Sequence, residues 1–346
     1  MAVRQAAAVS KVFVASRAAN IVDMLRACLQ EAGLGGVSVQ ELALSSSNAT
    51  TLSQESLDKI PSIEVLFADP TFIVQVLAHP SNKTKWIQNT FAGLDAIVKA
   101  LDKLEKLPDV LLTRQTDGFG QSMAEYVIGQ IVARERNFSL MYDLQRASRY
   151  DYSQLTRYRR LNELNLGILG LGNIGTEVAR QCRAVNMTVW AAVRDERLQA
   201  GQAINEHVHH LRPMSKLPEM LQEVDYLVNI LPSTPDTRNL LSGEVLKPCV
   251  SKKTVLINIG RGDVIDDSSL IHAVRCGWLG GAVLDVFNTE PLPCDSPLWM
   301  LPGVTITPHV SGSTDTSTAV KTFVDNLIRY QNGQHLVNEV DLARGY

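Results

Sequence analysis

Cysteine is scarce in this chain and irregularly placed. The 346 residues contain five, Cys28, Cys182, Cys249, Cys276 and Cys294. Their number is odd, and no two fall in a CxxC or zinc-like spacing. That argues against a disulfide framework and against any metal site, and it fits a reducing compartment. Long apolar runs are missing as well. Stretches such as VDYLVNILP fall well short of the roughly 20 residues that a membrane-spanning helix needs. Charge of one sign is also missing: 33 basic residues face 36 acidic ones, a formal net charge of −3. No electrostatic footprint for nucleic acid or an anionic membrane surface is therefore expected. The densest basic group, RYRR at 157–160, reads as a solvated helix end or linker. The opening MAVRQAAAVSKVFVAS lacks the ordered regions of a secretory signal. A cytoplasmic location is expected, with a mitochondrial leader as the alternative. Repeats and low-complexity segments are absent too.

What is present is an ordinary globular composition, 45% hydrophobic and 20% charged, in a length that suits about two domains. Short apolar runs alternate with amphipathic stretches, the pattern of parallel strands joined by crossover helices. Strands are expected at 11–16, 37–42, 64–69, 85–90 and 110–114. Between them IVDMLRACLQEA and LDAIVKALDKLEKL read as helices, the second with Ile97, Val98, Leu101 and Leu104 at helical spacing. Residues 123–150 read as one long helix bridging two domains. A second series follows, with strands at 166–170, 188–193, 226–232, 254–260, 281–287 and 304–308. A last helix over 317–333 ends at Gly333. The fold class expected is α/β, with two Rossmann-like domains built on doubly wound parallel sheets.

Within the second series, GILGLGNIG places Gly170, Gly172 and Gly175 in the GxGxxG spacing. Alone that spacing is weak evidence, but here it leaves a strand and opens a helix, which is the context it needs. The first glycine permits the tight turn, the second lets backbone approach a pyrophosphate, and the third permits close helix–strand packing. The amides of the first helical turn, from Asn173 and Ile174 onward, then face the phosphates. The end of the next strand reads WAAVRDE. Arg194 there suits a 2′-phosphate, which a guanidinium grips bidentately, and Arg197 offers a second contact. Asp195, one residue on, would instead accept from a ribose 2′-hydroxyl. NADP(H) is the expected cofactor and NAD(H) the alternative.

Three further motifs lie at strand ends of the same series. INIGRGDVID carries Arg261, GAVLDVFNTEPLP carries Asp285 and Glu290, and TITPHVSGST carries His309. An Arg-Gly pair, a carboxylate before proline or a histidine after proline is commonplace taken singly. In a doubly wound sheet, however, the carboxyl ends of these strands converge on one crevice. In this order, behind a GxGxxG, the set resembles the D-isomer-specific 2-hydroxyacid dehydrogenase family over nearly the whole chain. Within it, TRQTDGFGQSMAEYVIGQ, DVFNTEPLP, SPLW, TITPHV and VDLARGY are most similar to the glyoxylate/hydroxypyruvate reductase A branch.

The resemblance implies a fold in which a cofactor domain, 117–309, is inserted in a flavodoxin-like substrate domain made of 1–116 and 310–346. It implies reduction of a small 2-keto acid, glyoxylate or hydroxypyruvate, with a homodimer as the assembly. Arg261 would bind the substrate carboxylate and carbonyl oxygen, His309 would donate the proton, and Glu290 would favour the imidazolium. Asp285 would lie near the nicotinamide, and Pro232, Ile259 and Gly260 complete the expected cofactor set. In the first domain, backbone amides at Gly93 and Leu94 would hold the substrate carboxylate. Arg114 stands where the wider family commonly has asparagine; it is either a cationic addition to the pocket or a surface arginine beside Asp117. Trp299 reads as a buried core residue, with the pocket or the dimer seam as the alternative. Two other readings remain: a dehydrogenase of another D-2-hydroxy acid such as 3-phosphoglycerate, and a dinucleotide-sensing corepressor-like binding protein.

Overall fold

In a computed structural model the described residues are 8–46, 49–103, 109–199 and 205–341. The chain divides into two compact units. One runs to Gly118 and resumes at Thr314; the other spans Phe119–Ser313. The first unit opens with β1 (Lys11–Ala15), α1 (Ile21–Glu31), β2 (Ser38–Glu41), α2 (Gln54–Lys59) and β3 (Val65–Ala68). It continues with α3 (Pro70–Ala78), β4 (Trp86–Asn89), α4 (Asp95–Leu101) and β5 (Leu111–Arg114). Leu104, expected in the last turn of α4, lies outside the described residues. The five strands are parallel in the order β2-β1-β3-β4-β5, the doubly wound order of flavodoxin-like sheets.

The second unit begins with α5 (Phe119–Glu135) and α6 (Phe138–Arg146). The single helix expected over 123–150 is therefore two, and its first part lies in this unit. The break falls at Asn137, whose φ of 53° is left-handed, a conformation that asparagine adopts more readily than most residues. There follow β6 (Asn165–Leu169), α7 (Asn173–Ala184), β7 (Thr188–Val193), α8 (Asp195–Gln199), β8 (His210–Pro213), α9 (Leu217–Leu221) and β9 (Tyr226–Asn229). The unit closes with β10 (Val255–Asn258), α10 (Asp267–Arg275), β11 (Gly281–Leu284) and β12 (Val304–Ile306). All seven strands are parallel, in the order β12-β11-β10-β9-β6-β7-β8. Renumbered from β6, its first six are the 3-2-1-4-5-6 of a Rossmann sheet, with one strand added at the edge. Strand β8, HLRP, was not expected; an edge strand of four half-buried residues carries no apolar run to betray it.

RYRR is not merely solvated. Arg159 bonds Asp225 at 2.6 Å and Glu135 at 2.5 Å, and the Tyr226 hydroxyl donates to Glu135 at 2.7 Å. Burial pushes the Glu135 carboxyl up, but these hydrogen bonds outweigh it and hold it below the ordinary glutamate range.

The chain returns to the first unit as α11 (Thr316–Gln331). Strand side chains alternate between faces, and each face has its own cover. Phe13, Leu66, Ile87 and Leu112 pack with α3 and α4 through Phe72, Ile73, Val76 and Ile97. Val12, Val14, Phe67 and Trp86 pack with α1 and α11 through Leu25, Leu29, Val320 and Phe323. Phe323 stacks on Phe67 and Trp86 with ring centroids 4.7 and 5.0 Å away. Beneath it, fully buried Asn326 donates to Gln88 Oε1 and to the Val337 carbonyl, both at 3.0 Å, and accepts from the Val337 amide at 2.7 Å. Asn326→Ala strands these buried groups, each at a cost of about 1–3 kcal/mol. We expect a destabilisation of at least about 1 kcal/mol in urea denaturation; unchanged stability would show that α11 docks without this bond set.

Candidate active site

The glycine turn after β6 is shaped by contacts that admit no side chain. Gly170 has φ +99°, and a Cβ there would meet the Ile230 carbonyl carbon at 3.2 Å. At Gly175 a Cβ would come within 2.0 Å of the Gly170 oxygen, so only glycine lets α7 pack this tightly on the turn. Gly172 is different: a Cβ there would meet nothing within 4 Å. It caps α7 in extended conformation and brings no side chain to the amides of the first turn, at Asn173, Ile174 and Gly175. A helix N-terminus led by a glycine suits a pyrophosphate.

At the end of β7, Arg194 is exposed and Asp195 begins α8. The Asp195 carboxylate accepts from the Ser215 amide at 3.2 Å. Hydrogen bonds from Ser215 hold it below the ordinary aspartate range. The side chain of Arg197 lies outside the described residues.

Strands β9 and β10 end in asparagines that the motif reading missed. Asn229 and Asn258 are buried side by side, with Asn229 Nδ2 donating to Asn258 Oδ1 at 2.9 Å. Asn229 Oδ1 then accepts from the Leu231 amide and Asn258 Oδ1 from the Gly260 amide. Asn258 Nδ2 donates to the Arg261 carbonyl at 3.0 Å. Two amides thus shape both loops, the one with exposed Pro232 and the one with buried Ile259 and Gly260. A signal was available: YLVN and VLIN both break an apolar strand with asparagine at its carboxyl end. Arg261 is half-buried and donates to the Gly260 carbonyl at 2.7 Å. Gly262 lies against the strand-end loop of β11; a Cβ there would fall 2.0 Å from the Phe287 carbonyl carbon.

Glu290 and His309 form a hydrogen-bonded ion pair, His309 Nδ1 to Glu290 Oε2, at 2.7 Å. The other oxygen of Glu290 accepts from the Phe287 amide at 3.0 Å. With Nδ1 engaged, Nε2 is the ring nitrogen left to give a proton. The hydrogen bond to Glu290 raises the imidazole above the usual histidine value, against burial and the Arg261 charge, which lower it. Burial pushes Glu290 up, but the bonds from His309 and the Phe287 amide prevail and keep it an anion.

Asp285, expected beside the nicotinamide, is held by its own loop. It is fully buried and accepts from the Thr307 hydroxyl and from the Val310 and Ser311 amides. Trp299 is a correction: it is 49% exposed, its indole N–H donating to the Pro293 carbonyl at 2.9 Å. The PLWM turn sends its neighbour Leu298 into the core instead.

In the first unit, the turn after β4 is braced from two sides. Asn89 donates to the Gly93 carbonyl at 2.9 Å and accepts from the Phe91 amide, while Arg114 donates to the Ala92 carbonyl at 3.3 Å. Leu94 follows as the buried N-cap of α4. Arg114 is thus partly a brace for this turn, a role between the two expected of it. Among the described residues, no group of His, Cys, Asp and Glu could hold a metal ion, and no helix is long and apolar enough to cross a membrane.

Comparison with known proteins identifies the family. The family model of the D-isomer specific 2-hydroxyacid dehydrogenase NAD binding domain matches residues 128–311. A D-isomer specific 2-hydroxyacid dehydrogenase family protein from Aeromonas salmonicida superposes with a TM-score of 0.80 at 28% identity, over 97% of this chain and 100% of that one. A dehydrogenase of the same kind from Xanthobacter autotrophicus, solved with NADPH and MES, is 30% identical over 98% of this chain and 100% of its own, with a TM-score of 0.76. The NADPH-dependent glyoxylate/hydroxypyruvate reductase of Sinorhizobium meliloti, solved with NADP and sulfate, is 26% identical over 97% and 100%, with a TM-score of 0.77. A matching domain model over more than half of the sequence, and relatives matched along their full length, place this chain in the D-isomer-specific 2-hydroxyacid dehydrogenase family.

Proposed function

We propose that this dehydrogenase reduces glyoxylate or hydroxypyruvate to the 2-hydroxy acid with NADP(H), with Arg261, Glu290 and His309 as its catalytic residues. The observation that carries the reading is the His309–Glu290 pair, an imidazole held ready to be protonated with Arg261 as the neighbouring cation. When bound, the dinucleotide supplies the hydride. Gly170, Gly172, Asn173, Ile174 and Gly175 would hold its pyrophosphate, and Pro232, Ile259 and Gly260 would line its path. Arg261 binds the substrate carboxylate and orients the keto group. His309 gives its Nε2 proton to the carbonyl oxygen, on which negative charge develops. Glu290 keeps the imidazole charged until then. Gly93 and Leu94 are the proposed carboxylate-binding amides of the substrate domain, the first unit, and Arg114 steadies their turn. The second unit is the dinucleotide domain.

The homodimer would form on the second unit. Helix α6 buries none of its residues, and Phe138 and Tyr142 are 38% and 62% exposed. They line a groove with Tyr158 and with Thr305 of edge strand β12. An apolar helix face beside an open sheet edge suits a second copy of the chain. Light scattering should give twice the mass of one chain, and Tyr142→Asp should shift it toward the monomer; a wild-type monomer would remove this interface.

The decisive assay is turnover of glyoxylate, hydroxypyruvate, pyruvate and 3-phosphohydroxypyruvate with NADPH and with NADH. The first two should be preferred. Preference for the phosphorylated acid would reassign the substrate, and no turnover at all would favour the dinucleotide-sensing reading.

His309→Ala should lower kcat roughly 10²- to 10⁴-fold while leaving NADPH affinity near normal. Reduction requires the imidazolium, so the rate falls as pH rises through the histidine pKa. Glu290 raises that pKa, so Glu290→Gln should move this limb to lower pH. An unmoved pH profile would take Glu290 out of the mechanism.

Arg194 would grip the 2′-phosphate. The Asp195 carboxylate is turned to the Ser215 amide, which leaves the preference to the arginine. Arg194→Ala should lower kcat/KM for NADPH roughly 10-fold, the worth of one charge-assisted bond, with little effect on NADH. Wild-type preference for NADH would make the site an NAD site.

A further inference from the structure

His309 stands on strained backbone. Its φ of 54° lies in the left-handed region, where a residue with a β-carbon persists only if its surroundings hold it. The holding groups converge on Asp285. Its backbone carbonyl accepts the His309 amide at 2.9 Å. Its Oδ1 accepts the Val310 amide at 2.8 Å and its Oδ2 the Ser311 amide at 2.8 Å. Three successive amides of the histidine loop therefore end on one buried aspartate.

The chain of bonds continues past it. Asp285 Oδ1 also takes the Thr307 hydroxyl at 2.5 Å, and Thr307 Oγ1 lies 2.6 Å from the Tyr126 hydroxyl. A threonine has one hydroxyl hydrogen to give. Thr307 gives it to Asp285 and so must accept from Tyr126. Tyr126 comes from the middle of α5, a helix with no residue in the site as described so far. Burial pushes its phenol up to about 12, so it stays a donor across the working pH range.

We propose that Tyr126 is a positioning residue for proton transfer: its hydroxyl, acting through Thr307 and Asp285, fixes the 307–311 loop that aims the His309 imidazole. The proposal rests on the reading of His309 as the proton donor. It gives Asp285 the work of holding backbone. Donor bonds set in series polarise one another in a buried setting, so loss at the outer end loosens the loop at the inner end. The groups that act on His309 itself are Glu290, Arg261 and Asp285, and replacing Tyr126 by phenylalanine changes none of them. What changes is the constancy of the His309–Glu290 contact.

The test is a double-mutant cycle of Tyr126→Phe and Thr307→Val in the full chain, with the keto acid that the substrate panel selects. Tyr126→Phe should lower kcat roughly 3- to 10-fold, the worth of one hydrogen bond. KM and NADPH affinity should stay within about twofold, and the high-pH limb of kcat should move to lower pH as the imidazole loses its aligned partner. The double variant should be no slower than Thr307→Val alone, because both act on one path. Thr307→Ser should recover most of what Thr307→Val loses, and this pair serves if Tyr126→Phe does not fold. A Tyr126→Phe enzyme with wild-type kcat and pH limb, a loss that adds to that of Thr307→Val, or a serine variant as slow as the valine one would overturn the proposal. His309→Ala is the separate control: if it stays active, the reading of His309 fails whatever Tyr126 does.

Discussion

Parallel strands cannot be joined by tight hairpins. Each must be followed by a crossover, so every strand of a parallel sheet leaves its carboxyl end on the same edge. In the second unit this constraint gathers the proposed functional residues. Strands β9, β10, β11 and β12 are neighbours in that order, with Asn229, Asn258, Leu284 and Ile306 in register at their ends. Adjacent strands lie about 4.8 Å apart, so loops from neighbouring strands can share hydrogen bonds. Arg261, Asp285 and His309 come from three such loops and meet although far apart in sequence. The approach is close enough that glycine is obligatory at 262, where a β-carbon would overlap the backbone of Phe287.

Two carboxylates of this edge do different work because their surroundings differ. Glu290 is partly open to solvent and its Oε2 bonds the imidazole ring, so its charge acts on a proton. Asp285 is wholly buried and faces backbone amides and a hydroxyl, so its charge acts on conformation. The same distinction separates the two asparagines from the arginine they serve. Asn229 and Asn258 shape the loop that carries half-buried Arg261, the proposed carboxylate-binding residue.

Much of this was legible in the chain itself. Strand–helix alternation pointed to two parallel α/β sheets, because short continuous apolar runs suit strands buried on both faces and 3.6-residue patterns suit the helices between them. The glycine spacing determined the turn after β6, since only glycine fits φ +99° at 170 and the contact at 175. The order of RG, DVFxxEP and TPH was readable because each motif ends a strand. Four things were not readable. The long helix expected over 123–150 breaks at Asn137, where a left-handed residue interrupts an otherwise continuous pattern. Strand β8 is held by pairing with β7 and not by its own composition. Trp299 is exposed because its turn puts Leu298, and not the tryptophan, on the core side. The use of Asp285 depends on which atoms lie within 3 Å of it, and those atoms belong to residues 22 to 26 positions away. Sequence determines what is periodic or sterically forced within a few residues. The pairing of Nδ1 with Glu290, the left-handed backbone at His309 and the contact of Tyr126 with Thr307 across 181 residues were decided only when the strands came together, because hydrogen-bond partners are chosen by distance in space.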